Sequence, residues 1–214
     1  MAKKQTTRVL AVAASKGGVG KSTLSAALAV RASKEGRVAI IDADEQSSLR
    51  DWWTWRGKPN NPQLLEMDCE PEALELIYAE GFDWLIIDTP PAIIRAITNA
   101  VQLADLVLIP TRPSPLDLEA LKVTLAITEQ QKKPHVFILN QADAASKLTS
   151  TVASTLKETG DLLTPFIAQR PAYVRAMITG RTGPEIAGGG ACATEIDALW
   201  ESVKRRVAQG GRSK

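Results

Sequence analysis

The stretch Val9-Leu10-Ala11-Val12-Ala13-Ala14-Ser15-Lys16-Gly17-Gly18-Val19-Gly20-Lys21-Ser22-Thr23 decides the fold. Its apolar run lacks polar alternation and reads as a strand covered on both faces. A glycine-rich turn follows, then an Ala-rich helical pattern, Ser22–Glu35, that stops at Gly36. Strand, glycine turn and helix in that order make an anion cradle. Gly17, Gly18 and Gly20 allow positive φ and close backbone approach, successive N–H groups face the anion, and the helix N-terminus adds partial positive charge. The strict pattern G-x-x-x-x-G-K-[ST] fails at one position, because Ser15 stands where the first glycine belongs. Lys21 is still placed to reach β- and γ-phosphates, and the Ser22 hydroxyl to bind Mg2+.

Further runs repeat the strand pattern: Arg37–Ile41, Trp84–Ile87, Leu106–Ile109, Val136–Leu139 and Phe166–Ala168, with a weaker one at Leu64–Met67. Helical patterns lie between and after them, at Glu72–Ala79, Ile93–Leu103, Asp117–Gln130, Lys147–Thr159 and Glu195–Ala208. This alternation predicts an α/β fold: a mostly parallel twisted sheet of about seven to eight strands, helices on both faces, and ligands beyond the carboxyl ends of the strands. At 214 residues and 44% hydrophobic, one domain spanning 1–214 is expected. The net charge of +2 decides nothing about partners. Cys69 and Cys192 form no C-x-x-C pair, which argues against a disulfide framework or zinc site. The N-terminal apolar run stops at Lys16, too soon for a signal segment or membrane span, so a soluble cytoplasmic protein is expected.

Two acidic strand ends follow the glycine turn. In Ile40-Ile41-Asp42-Ala43-Asp44-Glu45-Gln46, aspartates two apart point the same way on an extended chain. In Trp84-Leu85-Ile86-Ile87-Asp88-Thr89-Pro90-Pro91, an acid closes a buried strand, the Walker B pattern, and Asp88 is the expected Mg2+ holder. The one histidine, His135, opens a strand, which leaves no Ser-His-Asp set. The expected chemistry is positioning and electrostatics on a γ-phosphate attacked by water.

Lys16-Gly17-Gly18-Val19-Gly20-Lys21-Ser22 resembles the deviant Walker A motif of the ParA/MinD family. The resemblance implies a P-loop ATP hydrolase using ATP and Mg2+, and a homodimer with ATP sandwiched between subunits, where Lys16 touches the partner's nucleotide. Higher-order assembly stays open. Phosphate contacts would come from Lys16, Gly17, Gly18, Val19, Gly20, Lys21, Ser22 and Thr23. Catalytic roles would fall to Lys16, Lys21, Asp44 and Asp88, with Asp44 positioning water, and the metal to Ser22, Asp42 and Asp88. The family's Asp-x-Asp-Pro-Gln has Glu45 in place of proline here. Thr89-Pro90-Pro91 would sense the γ-phosphate. Asn140 ends the sixth strand near the adenine, or is a plain turn former, and Gln169, Arg170 and Pro171 can flank the base.

Asp44–Trp52, Ile109–Asp117 and Ile167–Arg175 are similar to segments of small plasmid ParA proteins, closest to the ParF-like partition group without an N-terminal helix-turn-helix domain. That implies a separate centromere-binding (ParB/ParG-like) partner and non-specific DNA binding, with nucleoid association in the ATP state. Arg170, Arg175, Arg181, Lys204, Arg205 and Arg206 are the candidate DNA contacts, with a basic tail over 209–214. Ile196, Leu199, Trp200, Val203 and Val207 share one helix face, a core stripe or a MinD-like membrane face; polar residues after the helix favour no membrane. A ParA-like ATPase positioning a protein cargo is the alternative (a chemotaxis cluster, a microcompartment, division machinery), and a metabolic P-loop synthetase the more distant one.

Overall fold

The computed structural model describes residues 7–210, so Arg212 and Lys214 of the expected basic tail lie outside the described residues. The strands are β1 (Arg8–Val12), β2 (Val38–Asp42), β3 (Gln63–Leu64), β4 (Trp84–Asp88), β5 (Leu106–Thr111) and β6 (His135–Leu139). The helices are α1 (Lys21–Ala32), α2 (Ser48–Trp55), α3 (Pro71–Glu80), α4 (Ile94–Leu103), α5 (Pro115–Gln130), α6 (Lys147–Thr159), α7 (Pro171–Met177) and α8 (Gly190–Gly210). All strands run parallel in the order β3-β2-β4-β1-β5-β6. Parallel neighbours need crossovers, and the helices that supply them cover both faces.

Alternation along β1 divides the core. Leu10 and Val12 join one cluster with Leu28, Ile40, Trp52, Ile86 and Trp200. Val9 and Ala11 join the other with Ile41, Leu85, Ile87, Ile97, Phe137 and Leu139. The apolar stripe of α8 faces inward: Ile196, Leu199, Trp200 and Val203 are buried, and Trp200 meets Trp84 edge-on at 4.6 Å. Among the described residues no helix is long and apolar enough to cross a membrane.

The sheet among the described residues has six strands, which corrects the expected seven to eight. Phe166–Ala168 makes only an isolated bridge, Ala142 to Ala168. Pro165 just before it carries no N–H, and Pro171 already opens α7, so no length remains for a ladder. The weak run at Leu64–Met67 survives as the two-residue edge strand β3. Register then builds the site. Val12 and Asp42 both lie opposite Asp88, so the exits of β1, β2 and β4 meet at one carboxyl edge.

Candidate nucleotide site

The glycine turn leaves β1 and feeds α1, with Gly18 at φ 74° and Gly20, the residue before the helix, at φ 91°. A β-carbon on Gly20 would collide with Asn140 Nδ2. Side chains from elsewhere hold the turn open. Asn140 Nδ2 donates to the Val19 carbonyl at 2.7 Å, and Gln141 Nε2 to the Gly18 carbonyl at 2.9 Å. Ser15 explains its own departure from glycine. Its Oγ donates to Ala120 O at 2.7 Å, its N–H to Thr124 Oγ1 at 3.1 Å, and its carbonyl accepts from Ala92 N at 2.9 Å. One residue therefore ties the turn to α5 and to the loop after β4. Lys21 is buried, and its Nζ donates to the Lys16 carbonyl at 3.1 Å. Burial lowers its pKa, while Asp88 and Asp44 oppose that shift.

Asp88 is fully buried beneath this turn. Its Oδ1 accepts from Ser25 Oγ at 3.0 Å, and its Oδ2 has no hydrogen-bond partner. Burial pushes the carboxyl up to about 7; the charge of Asp42 adds to this, while the Ser22 and Ser25 hydroxyls and the charge of Lys21 oppose it. An orphaned carboxylate oxygen beside a serine hydroxyl, under a glycine turn where a β-carbon at Gly20 has no room, is a donor set that a Mg2+–nucleotide fits. Asp42, expected in the metal shell, has a structural task. Its oxygens accept from the N–H groups of Asp44, Leu49 and Arg50 at 3.1, 2.9 and 2.8 Å, which fastens α2 to the end of β2. Burial still raises its pKa. Asp44 sits in the turn beyond, accepting from Gln46 N at 3.0 Å, and Glu45 is exposed in the same turn.

Lys16 is pinned. Its Nζ pairs with Asp117, whose side chain is 1% exposed, and Arg112 Nε donates to the same carboxylate at 2.5 Å. Although burial alone would raise it, the hydrogen bonds and charges of Arg112 and Lys16 hold the Asp117 carboxyl below its ordinary value. Reading the sequence located Lys16 but neither of these partners, which the strand exit Thr111–Pro115 brings back over the glycine turn. The signal was present: a charged residue at the start of a helix directly after a strand that ends beside a phosphate turn.

A pocket of about 140 Å³ adjoins Gly20 and Thr23, lined also by Asn140, Gln141, Gln169, Arg170 and Tyr173. It joins the end of β6 to the segment before α7, where base contacts were expected. Pro171 does not line it; it opens α7 alongside. The basic candidates divide into two sets. Arg170 holds Glu195 at 2.7 Å, Lys204 holds Glu35 and Glu201 at 2.8 Å each, Arg206 holds Asp161 at 3.1 Å, and Arg205 donates to Ser202 Oγ at 2.8 Å. Arg175 and Arg181 are exposed and make no ion pair among the described residues.

A parallel sheet with a lysine-bearing glycine turn at its centre and a buried acid on the next strand defines a P-loop nucleotide-binding protein. The CobQ/CobB/MinD/ParA nucleotide-binding domain model matches residues 10–182, and the chain belongs to that family, as an ATPase of the ParA/MinD type. It is 33% identical over 205 residues to Maintenance of carboxysome distribution protein A of Halothiobacillus neapolitanus, covering 91% of this chain and 95% of the relative. It is 30% identical over 177 residues to Protein ParA of Rhizobium radiobacter, covering 77% and 80%. In fold it is similar to apo McdA of Cyanthece, with a TM-score of 0.73 and 22% identity over 94% of this chain and 99% of that one.

Proposed function

We propose that this chain is a positioning ATPase that distributes a large protein body inside the cell, driven by an ATP-dependent monomer–dimer cycle. The observation supporting this cargo class is the end-to-end similarity to a carboxysome distribution protein at 33% identity, covering nine-tenths or more of both chains. A second such protein, from Gloeobacter kilaueensis, is 35% identical over 94% of this chain and 93% of its own length. The ParF-like plasmid partition role is the second reading, favoured by the 30% identity to a ParA protein.

In the proposed cycle Mg2+–ATP sits on the turn Lys16–Thr23, Lys21 reaches the terminal phosphates, and Ser22 and Asp88 hold the metal. The metal supplies charge neutralisation for phosphoryl transfer to water. Asp44 lies at the same sheet edge and orients that water. Lys16 leaves Asp117 and reaches a second copy's nucleotide, which makes dimerisation depend on ATP. The dimer binds DNA without sequence preference through exposed arginines such as Arg175 and Arg181, so the ATP form is nucleoid-associated in the cytoplasm. A separate partner protein on the cargo stimulates hydrolysis and resets the cycle. Identifying the partner by co-purification with a hydrolysis-slowed, ATP-loaded chain tests the cargo. Recovery of a microcompartment-associated protein supports the first reading. Recovery of a centromere-binding protein replaces it with the second.

A further inference from the structure

Gln141 is among the few non-glycine residues with positive φ, at 53°. That backbone conformation is unfavourable for a residue with a β-carbon, and it persists where surrounding contacts over-determine it. Here the contact is specific. From that conformation the Gln141 side chain reaches across 123 positions of sequence to the Gly18 carbonyl at 2.9 Å. Its neighbour Asn140 takes the next carbonyl, Val19, at 2.7 Å.

Two consecutive carbonyls of the glycine turn are thus held on the side facing the end of β6. The trans peptide unit is planar, with C=O and N–H pointing opposite ways. Fixing the carbonyls of Gly18 and Val19 therefore aims the N–H groups of Val19 and Gly20 to the other side. Gly18 and Gly20 flank these units with φ of 74° and 91°. A peptide unit beside glycine flips cheaply, because no β-carbon resists the change. Within the turn only Val19, β-branched and buried, resists such a flip; the amides of Asn140 and Gln141 add a fixed hydrogen bond to each carbonyl.

We propose that Gln141 is a positioning residue for phosphate recognition: it locks the Gly18–Val19 peptide so that the Val19 N–H stays available to a nucleotide's phosphate chain. The inference rests on the assignment of this turn as the ATP site. It predicts a loss that is larger for a phosphate-bearing ligand than for the nucleoside alone, and separate from stability.

The test uses the full chain with Mg2+, measuring Kd for ADP by calorimetry and for adenosine by ligand-observed NMR, and Tm without ligand. Gln141→Gly removes the amide and also relieves the strained φ, so Tm holds or rises. The expected result is an ADP affinity lowered roughly 3- to 10-fold, the loss of one hydrogen bond's influence, with a smaller loss for adenosine, whose pocket Gln141 also lines. Gln141→Lys restores a donor, and ADP affinity returns to within about 2-fold of wild type. The proposal is overturned if Gln141→Gly binds ADP as the wild type does. It is equally overturned if ADP and adenosine weaken in the same proportion, or if the lysine variant rescues nothing. Failure of the underlying ATP-site assignment looks different: the wild-type chain itself would bind neither ADP nor ATP.

Discussion

Replacing Asp117 with asparagine should make this protein dimerise more readily at a given ATP concentration. In the cycle proposed above, Lys16 cannot hold Asp117 in its own subunit and reach a neighbour's nucleotide at once, so each subunit would break that pair to dimerise. The Lys16 side chain is 31% exposed and that of Asp117 1%. An exposed ion pair contributes about 0.2–1 kcal/mol, and a hydrogen bond to a charged group about 1.5–3 kcal/mol. Arg112 stays on the carboxylate when Lys16 leaves, so Asp117 is not stranded. A value near 1 kcal/mol per subunit follows, or about 2 kcal/mol for the two pairs broken in a dimer. That corresponds to roughly a 30-fold gain in the association constant. Asparagine keeps the shape and an oxygen to accept from Arg112, so the fold should tolerate it. Sedimentation velocity across a range of protein concentrations, with a slowly hydrolysed ATP analogue, gives the constant directly. Lys16→Ala on the same background should abolish the gain. An Asp117→Asn dimer no tighter than wild type would refute the idea that this pair opposes assembly.

Three further outcomes follow from the site. Gly20→Ala places a β-carbon against Asn140 Nδ2 at φ 91°, so backbone strain of about 1–2 kcal/mol adds to a lost hydrogen bond of about 1 kcal/mol; thermal unfolding should show the destabilisation and calorimetry a loss of ATP binding. Asp88 has its folded pKa raised from 3.8 to about 7. Between those values the folded state holds a proton that the unfolded state has released, so the group's contribution to stability falls as pH rises through that window. Asp88→Asn should therefore gain stability over wild type as pH goes from 4 to 7 without metal, and the gain should shrink when Mg2+–ATP occupies the wild-type site. For DNA, Arg175→Ala and Arg181→Ala should each weaken binding and reduce the salt slope by about one. Lys204→Ala and Arg206→Ala should do less, because those cations already hold Glu35, Glu201 and Asp161.

Much of the fold could be read along the chain, because each buried strand is a short Val/Ile/Leu run ended by a residue with a different task. Asp42 and Asp88 both mark strand ends, and β1 runs straight into the glycine turn. The segment at Phe166–Ala168 misled because its composition suits a strand, whereas Pro165 and Pro171 limit its length. Side-chain assignments were legible only where the chemistry is local. Lys21 opens α1 after the glycine turn and Asp88 closes β4, places that spacing along the chain displays. The partners of Lys16 do not, because the pairing with Asp117 spans 101 positions and depends on where β5 delivers α5. Asp42 shows the converse case. Its type and location suit a metal, but three backbone N–H groups at the start of α2 use its oxygens, a demand that no spacing rule displays.

The departure of Ser15 from glycine joins these observations into a physical account of switching. A glycine there could make neither the bond to Ala120 O nor any other side-chain tie to α5. With serine in place, the turn is bonded to α5 through Ser15, to the loop after β4 through Ala92 N, and to the end of β6 through Asn140 and Gln141. α5 also carries Asp117, the loop after β4 leads into the exposed Ile93 and Ile94 at the start of α4, and β6 ends beside the pocket that Gln169 and Arg170 line. Any change in the turn's conformation thus acts on three surfaces through short hydrogen bonds rather than through the sheet. Packed cores resist continuous deformation, so the changes that a phosphate can induce are concentrated in these few polar contacts.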